Sequence, residues 1–368
     1  MSVNVHVIRT HRPHFGAHSG ISQFLRHVDP LRHHVEVHVT ADSDADFPIQ
    51  NRWIRKILRY AVQWQGMEYY KLSDLVAEIK TLRKCWNSNV DIVHFIDGEH
   101  SAQYLPWLRR PNARGSTKFL ATFHQPPNRL KTLTRTKVIE GLDHVTVVSP
   151  EQLAFFCDLL GPERVSLILH GIDSDYFRPG NPPQEEKILR CLSVGHWLRD
   201  FAAIREVARR LKSRKEIEFH AVVSNRILPR IPELEELENV TLHTNHLDDA
   251  VLLKLYQECH VLFLPLLGAT ANNALLEGIA CGLPVLSTDL AAVRAYLPGN
   301  EAILIKDNEP QAFVDAILWL CRHPHIRKEM GASARKRAEE LDWHKIAPQY
   351  EALYGQLVSH HARAVGSA

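Results

Sequence analysis

The chain of 368 residues has no C-x-x-C pair; its six cysteines, Cys85, Cys157, Cys191, Cys259, Cys281 and Cys321, are widely scattered. This excludes the common zinc and dithiol motifs, and the apolar surroundings of several cysteines fit buried thiols in a reducing compartment. No apolar run approaches the about 18 residues that a membrane-spanning helix requires. The opening Met1-Ser2-Val3-Asn4-Val5 lacks the basic and apolar regions of a signal peptide, so a cytoplasmic location is expected. Charge of one sign is also missing: the formal net charge is +2, which implies no polyelectrolyte partner and no nucleic acid.

Histidine is the one abundance, at 23 residues. His11, His14 and His18 share one loop, but no Cys or carboxylate stands at ligand spacing and no H-E-x-x-H helix is present. No metal site is expected there.

Short β-rich runs alternate with helical segments, as in parallel sheets covered by helices on both faces. In the first half the strands are expected at Val3–Ile8, Val35–Thr40, Asp91–Ile96, Lys118–Phe123, His144–Val148 and Val165–Leu169. One helix between them is well signed: Ser149 caps it, Pro150 takes the first position, Gln152 completes a capping box and Gly161 ends it. The stretch Arg178-Pro179-Gly180-Asn181-Pro182-Pro183 reads as a linker. A second alternation follows, with strands at Ile188–Val194, Ile217–Ser224, Val240–His243, Val261–Leu264, Pro284–Ser287 and Ala302–Ile305. The α/β pattern thus gives two doubly wound domains, whose ligands bind beyond the C-terminal ends of the strands, with a cleft where two substrates can meet.

The most informative segment runs Pro265-Leu266-Leu267-Gly268-Ala269-Thr270-Ala271-Asn272-Asn273-Ala274-Leu275-Leu276-Glu277-Gly278-Ile279-Ala280-Cys281-Gly282-Leu283-Pro284-Val285. It is strand, small-residue loop, short helix, Gly stop and strand. Asn272 or Asn273 can cap the helix, and Gly282 supplies the exit. Small residues ahead of the helix let an anion such as a diphosphate reach the free N–H groups. Glu277 lies about one turn further in, roughly 6 Å along the axis. That offset suits a carboxylate accepting from the ribose of the same nucleotide; a solvated Glu on a plain capped helix is the alternative.

This segment resembles the nucleotide-sugar site of the retaining GT-B glycosyltransferases, in particular family 4, with its E-x7-E, small residue and G-x-P-V. The second Glu of that motif falls on Glu277, which the family uses to hold the ribose; the first falls on Ala269. His170-Gly171-Ile172-Asp173 with Phe177-Arg178-Pro179 resembles the family's interdomain signature, with His170 in place of Asn. Val194-Gly195-His196-Trp197-Leu198-Arg199-Asp200 resembles the loop that grips the diphosphate, with His196 where Arg is usual and Arg199 as the basic partner. Trp343-His344 through Tyr350 and Tyr354 resembles a closing helix that crosses back to the N-terminal domain.

The resemblance implies a GT-B fold of two Rossmann-like domains facing across a cleft. Residues 1–172 would bind the acceptor, 173–342 the nucleotide-sugar, and 343–368 would be the returning helix. It implies retaining transfer to a hydroxyl of a glycan, lipid or small molecule, without metal or other cofactor. Expected donor-side residues are Gly20, Gly195, His196, Arg199, Thr270, Asn272, Asn273, Ala274 and Glu277. His124, in Thr122-Phe123-His124-Gln125-Pro126-Pro127, resembles the family's T-x-H element; it joins Arg199 and Glu277 as expected catalytic residues. The Gly16-Ala17-His18-Ser19-Gly20 loop supplies His18 and Ser19 on the acceptor side, with Asp97 and Glu99 beside them. A GT-B epimerase or phosphorylase, or a non-catalytic nucleotide-sugar- or partner-binding subunit, is the alternative to a transferase.

Two further motifs need placing. Asp42-Ser43-Asp44-Ala45-Asp46 has the form of a metal-binding D-x-D but reads as a solvated turn after the second strand. Arg52, Arg55, Lys56 and Arg59 fall on one helical face, with Trp53, Ile54, Ile57, Leu58 and Trp64 on others. Such a helix can dock on an anionic membrane surface through residues 52–64, or pack on its domain with a solvated basic side.

Overall fold

Fourteen strands build the computed structural model, which describes residues 2–12, 16–64, 67–108, 111–112, 115–180, 188–244 and 247–365. His14 and linker residues Asn181, Pro182 and Pro183 lie outside the described residues. The first sheet contains β1 (Val3–Thr10), β2 (His33–Thr40), β3 (Ile92–Phe95), β6 (Lys118–Phe123), β7 (His144–Val147) and β8 (Val165–Leu167). A short antiparallel pair, β4 (Pro111–Asn112) and β5 (Gly115–Ser116), stands apart from it. The second sheet contains β9 (Leu189–Val194), β10 (Ile217–Val222), β11 (Val240–His243), β12 (Val261–Leu264), β13 (Val285–Thr288) and β14 (Ala302–Ile305).

All pairings in the two large sheets are parallel, in the orders β2-β1-β3-β6-β7-β8 and β11-β10-β9-β12-β13-β14. Every residue of β3, β7, β12 and β13 is buried, as expected for central strands with helices on both faces. Each sheet has its own apolar core. Val93, Phe119, Phe123 and Phe156 lie in the first, and Phe219, Val261, Phe263 and Phe313 in the second.

The chain forms two compact units whose boundaries are not sequential. The first takes Met1–Pro13, Phe24–His170 and His344–Ala368; the second takes His14–Gln23 and Gly171–Trp343. The C-terminal helix Trp343–Val365 therefore contributes its body to the first unit, where Tyr350 stacks on Phe24 and Tyr354 donates its hydroxyl to, or accepts from, His94 Nδ1 at 2.8 Å.

Two local expectations need correction. Ser149 occupies the N-cap of the helix Pro150–Leu160, but its side chain makes no capping bond. Gln152 does the work instead: its Oε1 accepts from Val148 N at 3.0 Å, and its Nε2 donates to the carbonyls of Phe123 and Gln125 at 2.9 Å. The D-x-D segment is a turn after β2 with Asp42 and Asp46 exposed, but its middle carboxylate is not solvated. Asp44 is buried, accepts from Leu72 N at 2.9 Å at the start of the helix Leu72–Asn87, and pairs with Arg59. A carboxylate committed to a helix start and a guanidinium ties its loop to two helices.

Candidate functional site

The chain changes direction across each sheet between two neighbouring strands, and crevices for ligands open beyond the C-terminal ends of such pairs. In the second unit the pair is β9 and β12, and the loops that follow them carry most of the residues expected on the donor side.

The loop after β9 turns at Gly195, whose φ of 87° lies in the left-handed region that favours glycine. It then runs beside the loop after β12: Asp200 N donates to Pro265 O and Leu267 N to Leu198 O, both at 2.9 Å. Held between them, Arg199 donates from Nε to Val194 O at 3.0 Å, from Nη1 to Trp197 O at 3.1 Å and from Nη2 to Asn272 Oδ1 at 3.0 Å. All three acceptors are neutral. Burial lowers the guanidinium to about 10, with Tyr256 and Glu277 opposing, so it stays charged at neutral pH. Its charge fixes the start of the helix Asn273–Ala280, because Asn272 Oδ1 also accepts from Leu275 N at 3.3 Å. Asn272, rather than Asn273, is thus the cap. Thr270 is buried ahead of it, and Asn273 and Ala274 open the helix. His196 is exposed on the same loop; desolvation and the guanidiniums of Arg199 and Arg226 hold its imidazole below the ordinary value.

Glu277 is buried, so the solvated alternative is excluded. Its Oε1 accepts from Ser19 Oγ at 2.6 Å and its Oε2 from Tyr256 OH at 2.8 Å. Burial raises its carboxyl above the usual range, against the two hydroxyl bonds. Each oxygen retains accepting capacity, since an ionised carboxylate has about four lone-pair sites.

Ser19 and Glu277 meet within the second unit, to which residues 16–23 belong. Asp249 secures the loop: its carboxylate accepts from Ala17 N at 2.7 Å and packs so close to Gly16 that a Cβ there would lie 1.9 Å from Oδ1. Further on, His18 Nδ1 lies 2.7 Å from Asp173 Oδ2, and its ring stacks on Tyr176 at 3.6 Å. Gly20 is buried at the start of the short 3-10 helix Ile21–Arg26.

In the first unit the change of direction falls between β1 and β3. Asp97, just beyond β3, accepts from Thr10 N at the end of β1 at 3.1 Å and lies 3.4 Å from Arg12 Nη2. Burial would raise its carboxyl, but Arg12, His100 and His124 outweigh it and hold the pKa low. Glu99 is buried and pushed up by that burial; it accepts from His124 N at 3.0 Å. His124, beyond β6, places Nε2 at 2.7 Å from Ile96 O. A carbonyl only accepts, so Nε2 carries a proton and donates it to Ile96 O. His100 is driven down to about 3, chiefly by burial and Arg12.

Asp97, Glu99 and His124 are thus brought together at one strand end. Sequence reading missed Arg12, His100, Tyr256 and Asp249, and placed Asp173 in the interdomain signature without a site role. Of the four missed residues only Tyr256 carried a signal, since a tyrosine on an apolar helix face needs a hydroxyl partner.

Comparison with known proteins agrees with this geometry. Residues 16–176 match the family described as Glycosyltransferase Family 4, and residues 196–323 match Glycosyl transferases group 1. A D-inositol 3-phosphate glycosyltransferase of Frankia alni is 25% identical over 66% of this chain and 65% of its own length. One of Corynebacterium diphtheriae is 19% identical over 96% of this chain and 93% of its own. The sucrose-phosphate synthase structure from Thermosynechococcus elongatus superposes with a TM-score of 0.71 at 17% identity, covering 97% of this chain and all of that one. Two parallel six-stranded sheets with this topology define the GT-B class of glycosyltransferases. The chain belongs to family 4, the group 1 glycosyl transferases, and is a glycosyltransferase.

Proposed function

We propose that the protein transfers a sugar with retention from a nucleotide-diphosphate sugar to a hydroxyl acceptor, and that it does so without a metal. The observation that carries this reading is Arg199, a charged guanidinium spent on three neutral oxygens at a helix N-terminus. A cation with no carboxylate partner among the described residues, beside free N–H groups, suits a leaving diphosphate. In this reading Glu277 takes the ribose, His196 adds charge when protonated, and the acceptor hydroxyl approaches on the side the diphosphate leaves. The phosphate itself takes the proton, and His124 orients the reacting region. Polyol phosphates are the first acceptors to test, given the named activity of the relatives. The experiment is release of nucleoside diphosphate in excess chelator. Release that needs both donor and acceptor supports transfer; release without acceptor, donor binding without turnover, or a strict divalent-ion requirement overturns it.

We further propose contact with an anionic membrane surface through residues 52–64, at a location in the cytoplasm. No helix among the described residues is long and apolar enough to cross a membrane. The helix Arg52–Trp64 has one fully buried residue, Val62, while Trp53, Ile57, Tyr60 and Trp64 are 72%, 67%, 63% and 63% exposed. Beside it opens an apolar cavity of about 300 Å³ lined by Val62, Leu75, Ile79, Leu82 and Leu105, with exposed Trp107 and Leu108 at its margin. Of the basic residues, Arg55 and Arg59 are turned to Asp44, leaving Arg52 and Lys56 for lipid headgroups. Replacing Trp53 and Ile57 by Glu should abolish cosedimentation with phosphatidylserine-containing vesicles and leave donor affinity unchanged; undiminished cosedimentation would refute the docking face.

A further inference from the structure

The outer edge of the first sheet carries a side-chain cluster that the transfer reaction does not use. In the parallel register of β1 and β2, His6 lies opposite Glu36 and Ile8 opposite His38, so His6, Glu36 and His38 project from one face of the sheet. His6 Nδ1 lies 2.9 Å from His38 Nε2, and Glu36 Oε1 lies 3.8 Å from the same His38 nitrogen. Among the described residues this is the one group of three His, Cys, Asp or Glu whose ligand atoms all lie within 4.8 Å of one another. Tetrahedral zinc with bonds of about 2.0–2.1 Å separates its ligand atoms by roughly 3.3 Å. The observed 2.9 and 3.8 Å bracket that separation, and Glu36 Oε2 lies 3.7 Å from the other ring nitrogen of His6, so turning the His6 ring and the Glu36 carboxylate brings all three donors onto one ion.

A second cross-strand pair provides an internal contrast. His220 and His243 on β10 and β11 place Nδ1 and Nε2 3.2 Å apart with stacked rings. Glu218, however, approaches His220 alone, at Nε2 and 3.9 Å, whereas Glu36 lies near both imidazoles of the first pair, 3.7 Å from His6 Nε2 and 3.8 Å from His38 Nε2. Two imidazoles sharing a proton form a hydrogen bond; the added carboxylate makes the first cluster a chelate.

We propose that His6, Glu36 and His38 bind a divalent transition cation of the zinc type, with water completing the shell, and that the ion pins the edge strand β2 to β1. Two imidazoles and one carboxylate are donors that suit zinc, copper or nickel over magnesium or calcium. Basic neighbours oppose it: the charge of Lys80 acts on His38, and Lys84 Nζ lies 3.5 Å from Glu36 Oε1, though the Lys84 side chain is half exposed and free to swing into solvent.

The test titrates Zn²⁺ into the metal-freed full chain against a chromophoric indicator and records thermal midpoints with and without Zn²⁺. His38→Gln should weaken the tightest site at least tenfold and remove the zinc-dependent rise in midpoint. Glu36→Gln should weaken it several-fold, Lys84→Ala should tighten it, and His243→Gln should leave it unchanged. His38→Gln is preferred to His6→Gln because His6 is the more buried and its loss risks the fold. Equal zinc affinity in the wild type and His38→Gln, or equal losses in His38→Gln and His243→Gln, would overturn the site and leave only scattered surface histidines. Because no residue of the cluster belongs to the proposed transfer machinery, turnover in chelator reports on that reading separately.

Discussion

The crevices of the two units are built from the same topological feature and filled with opposite chemistry. Beyond β1, β3 and β6, charged and titratable side chains face one another: Arg12 on Asp97, Glu99 on the backbone of His124, and His100 nearby. Beyond β9 and β12 the partners are carbonyls, an amide side chain and helix N–H groups, with one guanidinium among them. The first arrangement fixes protonation states, down for Asp97 and up for Glu99. The second fixes a positive potential. A switch point supplies only the place; the loop residues decide whether it suits proton and hydroxyl chemistry or an anion.

The contrast can be broken first at His124. His124→Ala should cut turnover by about a hundred-fold or more, as for loss of a positioned polar group, while nucleotide affinity measured by calorimetry stays near the wild-type value. Lost nucleotide affinity with normal turnover would move His124 out of the first crevice's chemistry.

Glu277 should show the reverse. Glu277→Ala should weaken the nucleotide-sugar complex by roughly ten- to a hundred-fold, the equivalent of about 1.5–3 kcal/mol for a hydrogen bond to a charged group. The isosteric Glu277→Gln controls for the buried Ser19 and Tyr256 bonds and should fall between. An unchanged dissociation constant in both folded variants would remove the ribose assignment.

A several-fold effect is expected at His196. Its imidazole is held low in the free protein, and a bound diphosphate would raise it. Donor affinity should then be highest at mildly acidic pH and fall as pH rises through the raised value; His196→Arg should flatten the curve. Parallel curves for the two proteins, after correction for the phosphate's own titration near about pH 6, would show that His196 is not a ligand.

A separate effect concerns stability. Glu78, buried in the first unit, has its carboxyl raised to about 7 by burial, against bonds from Tyr70 and the N–H groups of Gln103, Tyr104 and Leu105. A folded-state value above the unfolded one means the native protein holds the proton longer. Its favourable contribution is therefore complete below pH about 4.5 and lost as pH rises through about 7. The thermal midpoint of Glu78→Gln should decline less than that of the wild type between pH 5 and 8; identical slopes would refute the linkage.

The alternation of strands and helices, the helix at Asn273–Ala280 and the carboxylate at Glu277 were legible in the sequence because each is local. Period-two and period-3.6 patterns, a capping amide and a Gly exit act over a few residues, and the family resemblance added the nucleotide role. What tertiary structure alone decided is who meets whom. Ser19 bonds to a residue 258 positions away, Asp249 closes on Gly16, and Tyr354 reaches His94. The same holds for Asp44, whose acidic run reads as solvent-exposed until two helices fold over it. Such pairings depend on strand order and on the path of the returning chain, and a long-range partner leaves no trace in the spacing of either residue alone.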